Sequence, residues 1–300
     1  MSLLGLANSR FGPWLGMAAA RLAPRAAAYG LADRVAARMA ARTASPLARA
    51  VRANQAVVRG FDAGDARLDQ AVADVLRIAG RGYVDLFRAL GGGLAGLLGG
   101  CTVEESLDRA LRLGAPSGRG VIAVSGHLSC FDMLMISLAA RGYPVRVLSY
   151  AAPRGSYHTQ NALRRRYGLE ITPISPASLR AAFRHLKQGG LVATGIDRPV
   201  PEGEPLRFFG RRTDLPVGHA RLAIRTGSLI VLGVVLAAGP GRYRAIGAGV
   251  VDPRAMGASG GDERAVAQAV LDLLEPHVRA RPEDWAMFHP LWSESIEGQA

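Results

Sequence analysis

From Gly120 onward the sequence alternates short apolar runs with amphipathic stretches, and this alternation limits the possible folds more than any other feature. The apolar runs include VIAVSG, PVRVLSY, LEITPIS and LVATGID, and stretches with helical periodicity such as SCFDMLMISLAARG and PASLRAAFRHLKQGG separate them. Strands that alternate with helices in this way build βαβ units, in which the strands run parallel. The sequence therefore predicts an α/β fold with a mostly parallel central sheet flanked by helices.

The first hundred residues have a different pattern, in which arginines interrupt apolar residues at helical spacing. This periodicity predicts helices over 11–90, and the glycine cluster GGGLAGLLGG at 91–100 ends them. Thr102 and Glu105 predict a capping box for a following helix through Leu113. We therefore divide the chain into a helical membrane-associating segment, 1–100, packed on an α/β core, 101–300.

The membrane assignment depends on where the positive charge lies. The formal net charge is +13, and within residues 1–60 the single acid, Asp33, is outnumbered by nine arginines: Arg10, Arg21, Arg25, Arg34, Arg38, Arg42, Arg49, Arg52 and Arg59. Arginines interleaved with Trp14, Leu22 and Leu31 suit an anionic membrane surface, and an ordinary solvated helical face is the alternative. No stretch approaches the roughly 18 uninterrupted apolar residues of a transmembrane helix, and the start lacks the order of a signal peptide.

A histidine and an aspartate follow the apolar run VIAVS, in the stretch GHLSCFD. His127 lies where a strand ends and a helix begins, and Ser129 is placed to cap that helix with Asp132 in its first turn. A carboxylate that binds one imidazole nitrogen fixes the tautomer and makes the other nitrogen a better base. The spacing alone is weak evidence, because a histidine with a purely structural role would show it too.

Longer stretches strengthen this interpretation. The elements GHLSCFD, LRRRYGLEITPI, FRHLKQGGLVATGIDRP, RFFGRRTDLPVGHARLAIRTGSLIV and RPEDWAMFHPLW occur in one order between Gly120 and Trp292. Together they resemble the bacterial lysophospholipid acyltransferase superfamily, in the branch of lipid A late (lauroyl or myristoyl) acyltransferases and phosphatidylinositol mannoside acyltransferases. The resemblance covers most of the chain.

The resemblance implies an acyltransferase in which His127 is the general base, Asp132 orients it and Asp197 helps to relay charge near it. It also implies a set of arginines that bind substrate anions: Arg198, Arg211, Arg212 and Arg166. For each of these arginines an exposed position without a ligand is the alternative. The implied partners are an acyl-coenzyme A or acyl carrier protein thioester and the hydroxyl of a lipid or glycolipid, with no cofactor. The resemblance and the charge place the protein peripherally at the cytoplasmic face of the inner membrane.

Other interpretations remain open at the sequence level. GASGG at 257–261 fits the nucleophile-elbow pattern of a serine hydrolase around Ser259, with Asp272 and His277 downstream in the right order. A lipid-binding relative without catalysis is a second alternative, and Cys130 is either a packed side chain or an acyl carrier. The scattered histidines predict no metal site, and the absence of nucleic-acid-binding signatures argues against a nucleic-acid partner.

Overall fold

The computed structural model describes residues 23–149, 165 and 169–292, and four helices come first along these residues. They are α1 (Arg25–Ala40), α2 (Pro46–Arg59), α3 (Arg67–Gly91) and α4 (Gly93–Gly100). The Ser45 side chain caps the start of α2 by accepting a hydrogen bond from the backbone N–H of Ala48. Gly60, with φ 65°, ends α2, because a residue without a Cβ adopts this left-handed conformation at little cost.

A seven-stranded sheet forms the centre of the described fold, in the order β1-β9-β8-β2-β5-β3-β4. Its strands are β1 (Cys101–Val103), β2 (Val121–Ser125), β3 (Val145–Ser149), β4 (Glu170–Pro173), β5 (Leu191–Gly195), β8 (Leu229–Ala237) and β9 (Tyr243–Val251). Neighbouring strands pair in parallel except for β8 and β9, which are antiparallel. The strands β6 (Glu204–Phe208) and β7 (Arg211–Leu215) form a separate antiparallel hairpin.

Helices cover both faces of the sheet. They are α5 (Glu105–Arg112), α6 (Phe131–Ala140), α7 (Pro176–Lys187), α8 (Gly218–Thr226) and α9 (Glu263–Ala280). Alternate residues of one strand enter different cores: Ile122 packs with α7, α8 and α9, whereas Val121 packs with α5 and α6. Burial on both faces explains why these strands are almost continuously apolar.

Buried polar side chains connect the first helices to the rest of the fold. Asp85 on α3 accepts hydrogen bonds from the hydroxyl groups of Tyr29 on α1 (2.6 Å) and Tyr243 on β9 (2.8 Å). Asn54 on α2 donates to the backbone oxygens of Met287 and His289 near the end of the described chain. Because a buried polar group without a partner is costly, these bonds fix how the helices pack on the sheet.

The predicted α/β class and the mostly parallel sheet are confirmed. The predicted capping box at Thr102 is wrong: Thr102 lies in β1, which pairs with β9, and Glu104 is the N-cap of α5. Within the described residues, no helix combines the length and the apolar character that crossing a bilayer requires. The boundary at residue 100 coincides with the change from α4 to β1, but membrane association of the first segment stays a prediction, and residues 1–22 lie outside the described structure.

Candidate active site

The register between β2 and β5 brings His127 and Asp197 together. The two strands are parallel neighbours, and their last residues, Ser125 and Gly195, lie opposite each other. His127 follows Ser125 by two residues, and Asp197 follows Gly195 by the same number, so both side chains emerge at the same carboxyl edge of the sheet. This edge is where parallel sheets usually collect their ligands and catalytic groups.

Within the described part of the chain, three hydrogen bonds hold the Asp197 carboxylate, which is fully buried (0% exposed). Its Oδ1 lies 2.6 Å from Nδ1 of His127, and its Oδ2 accepts the backbone N–H of the same histidine at 2.7 Å. Oδ2 also accepts the indole N–H of Trp285 at 2.8 Å. Since Nδ1 is bound to the carboxylate, Nε2 is the ring nitrogen left to act on a substrate, and the imidazole keeps 24% of its surface exposed.

Gly126 permits this close approach. A Cβ at this position would lie 3.0 Å from Oδ2 of Asp197 and 2.9 Å from the Leu274 side chain, both too close for an ordinary contact. Gly195 lies beneath the imidazole, where a Cβ would be 3.5 Å from Cε1 of His127. Phe131 contacts the ring edge-on, with centroids 4.6 Å apart. The backbone and these neighbours therefore set the orientation of the imidazole.

Burial and charge act in opposite directions on this pair. Burial lowers the pKa of His127, but the charge of Asp197 and its hydrogen bond outweigh burial, so the pKa lies above the ordinary value for histidine. Burial likewise raises the pKa of Asp197, yet the charge of His127 and the hydrogen bonds to the carboxylate hold it below its ordinary value. The pair is thus a carboxylate that stays ionised beside an imidazole of increased basicity.

Asp132 lies within electrostatic range of His127 but is not the carboxylate bonded to its Nδ1. It lies in the first turn of α6, as predicted, and is buried, but the carboxylate bonded to Nδ1 is Asp197. The charge of Asp132 contributes to the raised pKa of His127.

The predicted helix cap at Ser129 is wrong: Ser129 has a φ of 53°, α6 begins two residues later, and Cys130 is its N-cap. The left-handed conformation of Ser129 turns the chain, so that its backbone N–H donates to the backbone carbonyl oxygen of Asp284 at 2.7 Å.

The four predicted anion-binding arginines have different positions. Arg198 follows Asp197 and is partly buried, and its charge opposes protonation of His127, so it lies within electrostatic range of the pair. Arg211 and Arg212 are exposed on β7, where they pair with Phe208 and Arg207 across the hairpin. Arg166 lies outside the described residues. The structure thus brings Arg198 to the histidine, and substrate binding by all four arginines stays a prediction.

The closing stretch RPEDWAMFHPLW contributes a site residue that sequence reasoning missed. Trp285, only 1% exposed, donates to Asp197, and the oxygen of His127 accepts the backbone N–H of Ala286 at 2.8 Å. The stretch was recognisable as a family element, but its letters do not show which side chain reaches the pair. A buried tryptophan needs a partner for its N–H, and this requirement is the one signal that pointed toward a polar contact.

Cys130 is a packed side chain in this structure. It is 7% exposed, its Sγ donates to the backbone oxygen of Gly82 at 3.4 Å, and burial raises the pKa of the thiol well above its ordinary value. Because the thiolate is the nucleophilic form, such a thiol is a poor acyl acceptor.

We expect Cys130→Ser to keep most of the activity, measured as turnover on a thioester donor. Loss of turnover together with an acyl group found on Cys130 by peptide mass spectrometry would contradict this expectation.

The hydrolase pattern lacks the geometry of a nucleophile elbow. The elbow needs a sharp turn from strand to helix, whereas Gly257–Gly261 forms a short 3-10 helix after another one at Pro253–Ala255. Ser259 precedes α9, and His277 lies on that helix about 21 Å beyond its first residue at 1.5 Å per residue. Ser259, Asp272 and His277 therefore form no triad. In the described part of the chain, no group of three or more His, Cys, Asp or Glu side chains is arranged to hold a metal ion.

A helix-covered parallel sheet with a histidine–carboxylate pair at the carboxyl ends of two adjacent strands is typical of α/β enzymes. The family model described as bacterial lipid A biosynthesis acyltransferase matches residues 5–294. Because this match covers nearly the whole chain, the chain belongs to the bacterial lipid A biosynthesis acyltransferase family. The predicted resemblance is thereby confirmed.

The chain is also similar to two curated phosphatidylinositol mannoside acyltransferases. It is 28% identical over 206 residues to the protein from Mycobacterium tuberculosis, which is 65% of this chain and 61% of the relative. It is 27% identical over 190 residues to the protein from Mycolicibacterium smegmatis, which is 61% of this chain and 60% of the relative. The match therefore spans less than two thirds of the length of each relative.

Proposed function

We propose that this protein moves a fatty acyl chain from a thioester of acyl carrier protein or coenzyme A to a hydroxyl of a lipid or glycolipid. The observation that carries the proposal is the 2.6 Å contact between Nδ1 of His127 and the buried carboxylate of Asp197. This contact leaves Nε2 as the base at the carboxyl edge of the sheet. A histidine oriented by a buried carboxylate is the usual device for activating a hydroxyl at neutral pH.

The chemistry requires one base and one site for developing negative charge. Nε2 of His127 takes the proton of the acceptor hydroxyl while the hydroxyl oxygen attacks the thioester carbonyl. The new C–O bond forms, the C–S bond breaks, and the imidazolium returns the proton to the departing thiolate. Backbone N–H groups in the first turn of α6, which begins within the motif at Phe131, stabilise the oxyanion. Asp132 adds negative charge near the ring, which favours the imidazolium that forms during attack.

Positive charge suits the phosphate groups of the donors and acceptors. Arg198 binds a phosphate of the acceptor or of the phosphopantetheine arm, and Arg211, Arg212 and Arg166 provide further anion contacts. The names of the mycobacterial relatives favour a glycolipid acceptor, such as a mannosylated phosphatidylinositol, for this chain as well. No metal or cofactor takes part in the proposed reaction.

The same proposal has the protein acting peripherally at the cytoplasmic face of the inner membrane, with the first segment on the lipid surface. The outer side of α1 supports it: Leu31 is 56% exposed and Val35 is 37% exposed, and the exposed Arg34 and Arg38 lie beside them. A strip of apolar side chains flanked by arginines is typical of helices that lie in an anionic interface.

Reversing charge on α1 tests this part. We expect Arg34→Glu with Arg38→Glu to weaken co-sedimentation with anionic vesicles, and 1 M salt to weaken it further, because the Debye length falls from about 10 Å at 0.1 M to about 3 Å. The matched control is Arg180→Glu with Arg225→Glu, an equal charge change at exposed positions on α7 and α8. Equal sedimentation of the two double variants would show that α1 is not the membrane contact.

The proposed activity is tested by following thiol release and product identity together. The purified protein is mixed with an acyl-coenzyme A or an acyl carrier protein thioester, with and without a lipid extract in mixed micelles. We expect thiol release to depend on the lipid, and mass spectrometry to find a lipid heavier by one acyl chain. Free fatty acid formed at the same rate without lipid would indicate a hydrolase. Absence of release with both donors and every acceptor would indicate a lipid-binding protein without catalysis.

A further inference from the structure

The indole N–H of Trp285 is the one hydrogen-bond donor to the Asp197 carboxylate, among the described residues, that does not belong to His127. We propose that Trp285 is a positioning residue, which fixes the Asp197 carboxylate and takes up part of its negative charge. The inference rests on the proposed function, in which His127 is the base. It assigns to the closing segment of the chain a direct influence on how basic that histidine is.

The backbone of the closing segment is bonded to the motif from both sides of Trp285. The backbone N–H of Ala286 donates to the carbonyl oxygen of His127 at 2.8 Å. The backbone N–H of Ser129 donates to the backbone carbonyl oxygen of Asp284 at 2.7 Å. Leu128 and Trp285 thus form an antiparallel bridge. These bonds hold the main chain of Trp285 opposite Leu128, next to His127, so the indole and the imidazole reach the same carboxylate from two paired segments.

Side chains of α2 hold the same segment from its other side. Asn54 donates to the oxygens of Met287 (3.1 Å) and His289 (2.8 Å), and its own oxygen accepts the N–H of Leu291. Gln55 donates to the oxygen of Pro282 at 2.8 Å. Asn54 and Gln55 are each 1% exposed, so these bonds are shielded from water. The position of Trp285 is therefore fixed by the fold and not by its indole bond alone.

A buried carboxylate needs donors, and the number of donors determines how strongly each one is held. Two of the three donors to Asp197 belong to His127, so removing the indole N–H leaves the charge of the carboxylate directed at the histidine alone. The protonated imidazole then gains stability, and the pKa of His127 rises further. The other charged or titratable groups near the ring and the indole are Asp132 on α6, Arg198 after β5, His289 in the closing segment and, beside Trp285, Asp284, whose pKa burial raises to about 6. None of them is substituted in this experiment.

Trp292 supplies a matched control. It lies in the same aromatic cluster, where its ring is 6.4 Å from that of Trp285 and 6.3 Å from that of Phe208. It is 4% exposed, but its indole nitrogen has no hydrogen-bond partner in the described part of the chain. Trp285→Phe and Trp292→Phe thus remove the same atoms from the same cluster, and they differ in whether a hydrogen bond to Asp197 is lost.

The first readout is the titration of the His127 imidazole, followed by NMR in the full chain. We expect Trp285→Phe to raise the pKa of His127 by at least half a unit, and Trp292→Phe to leave it unchanged. In the unsubstituted protein the indole N–H resonance of Trp285 shifts as His127 titrates, while that of Trp292 does not. This last measurement needs no variant, so it can overturn the proposal even if Trp285→Phe fails to fold. An unchanged or lowered pKa, or a Trp285 resonance that ignores the titration, overturns the proposal.

The second readout is kinetic. We expect Trp285→Phe to lower kcat about tenfold with little change in KM, because a less firmly oriented base acts on a substrate that still binds normally. The acid limb of its pH–rate profile moves to higher pH, since His127 stays protonated to higher pH. If the two tryptophan variants have equal kinetics, while His127→Ala is inactive, the role of Trp285 is refuted and the proposed function stands. Activity that survives His127→Ala would instead refute the proposed function itself.

Discussion

Replacing His127 by alanine is expected to abolish acyl transfer while the protein remains folded. The substitution removes the proposed base, whose side chain emerges at the carboxyl edge of the sheet, and it leaves the backbone bonds of the motif in place. Asp197 keeps the donors from the His127 backbone and from Trp285, so its burial is still compensated in part. The measurement is the rate of lipid acylation from a thioester donor, combined with thermal unfolding to confirm that the variant is folded.

His277→Ala is the control for this variant. His277 is half-buried on α9 and belongs to the rival hydrolase pattern, so the proposed mechanism gives it no role. We expect this variant to retain its turnover, as Ser259→Ala should. Near-normal turnover of a folded His127→Ala protein would end the histidine-base hypothesis, and loss of turnover in the Ser259 and His277 variants would revive the hydrolase.

Asp197→Asn is expected to lower kcat by about three to four orders of magnitude, the range seen when the carboxylate of a catalytic triad becomes an amide. Asn has a single acceptor oxygen, and the Oδ2 position receives two N–H donors, from the backbone of His127 and from Trp285. If the amide oxygen takes that position, the amide NH₂ faces Nδ1 of His127. Nδ1 must then be the acceptor and the proton moves to Nε2, so the ring has the wrong tautomer for a base.

Asp132→Asn separates a charge effect from a hydrogen-bond effect. The charge of Asp132 raises the pKa of His127, but Asp132 is not the carboxylate bonded to Nδ1. We therefore expect a loss of roughly tenfold, together with an acid limb of the pH–rate profile that moves to lower pH, because the imidazolium loses a stabilising charge. A larger loss for Asp132→Asn than for Asp197→Asn would reverse the assignment of the two carboxylates.

Much of the fold followed from local pattern. The alternation after Gly120 predicted the strands and helices of a parallel sheet, because a strand buried on both faces is continuously apolar and a covering helix is not. His127 was placed correctly at the end of β2 for the same reason. The two errors near the motifs are local as well: Thr102 and Ser129 resemble caps in sequence, but pairing of β1 with β9 and the left-handed turn at Ser129 override that preference.

The partner of His127 could not be derived from spacing. Asp132 is five residues away in sequence, whereas Asp197 is separated from His127 by 70 residues, and the two meet because β2 and β5 are neighbours in the sheet. Strand order results from how helices pack across the sheet, and a single sequence does not record it. The same limit applies to Trp285, which reaches Asp197 from a position 88 residues further along the chain.

The most direct test of the account is mass spectrometry of cell lipids. The cells lack their own copy of the protein, and two strains are compared, one supplied with the unsubstituted chain and one with His127→Ala at the same level. The account predicts a lipid or glycolipid that carries one additional acyl chain in cells with the unsubstituted protein, and its absence, with accumulation of the unacylated form, in cells with His127→Ala. Identical lipid profiles in the two strains, with both proteins folded and membrane fractions matched, would contradict it.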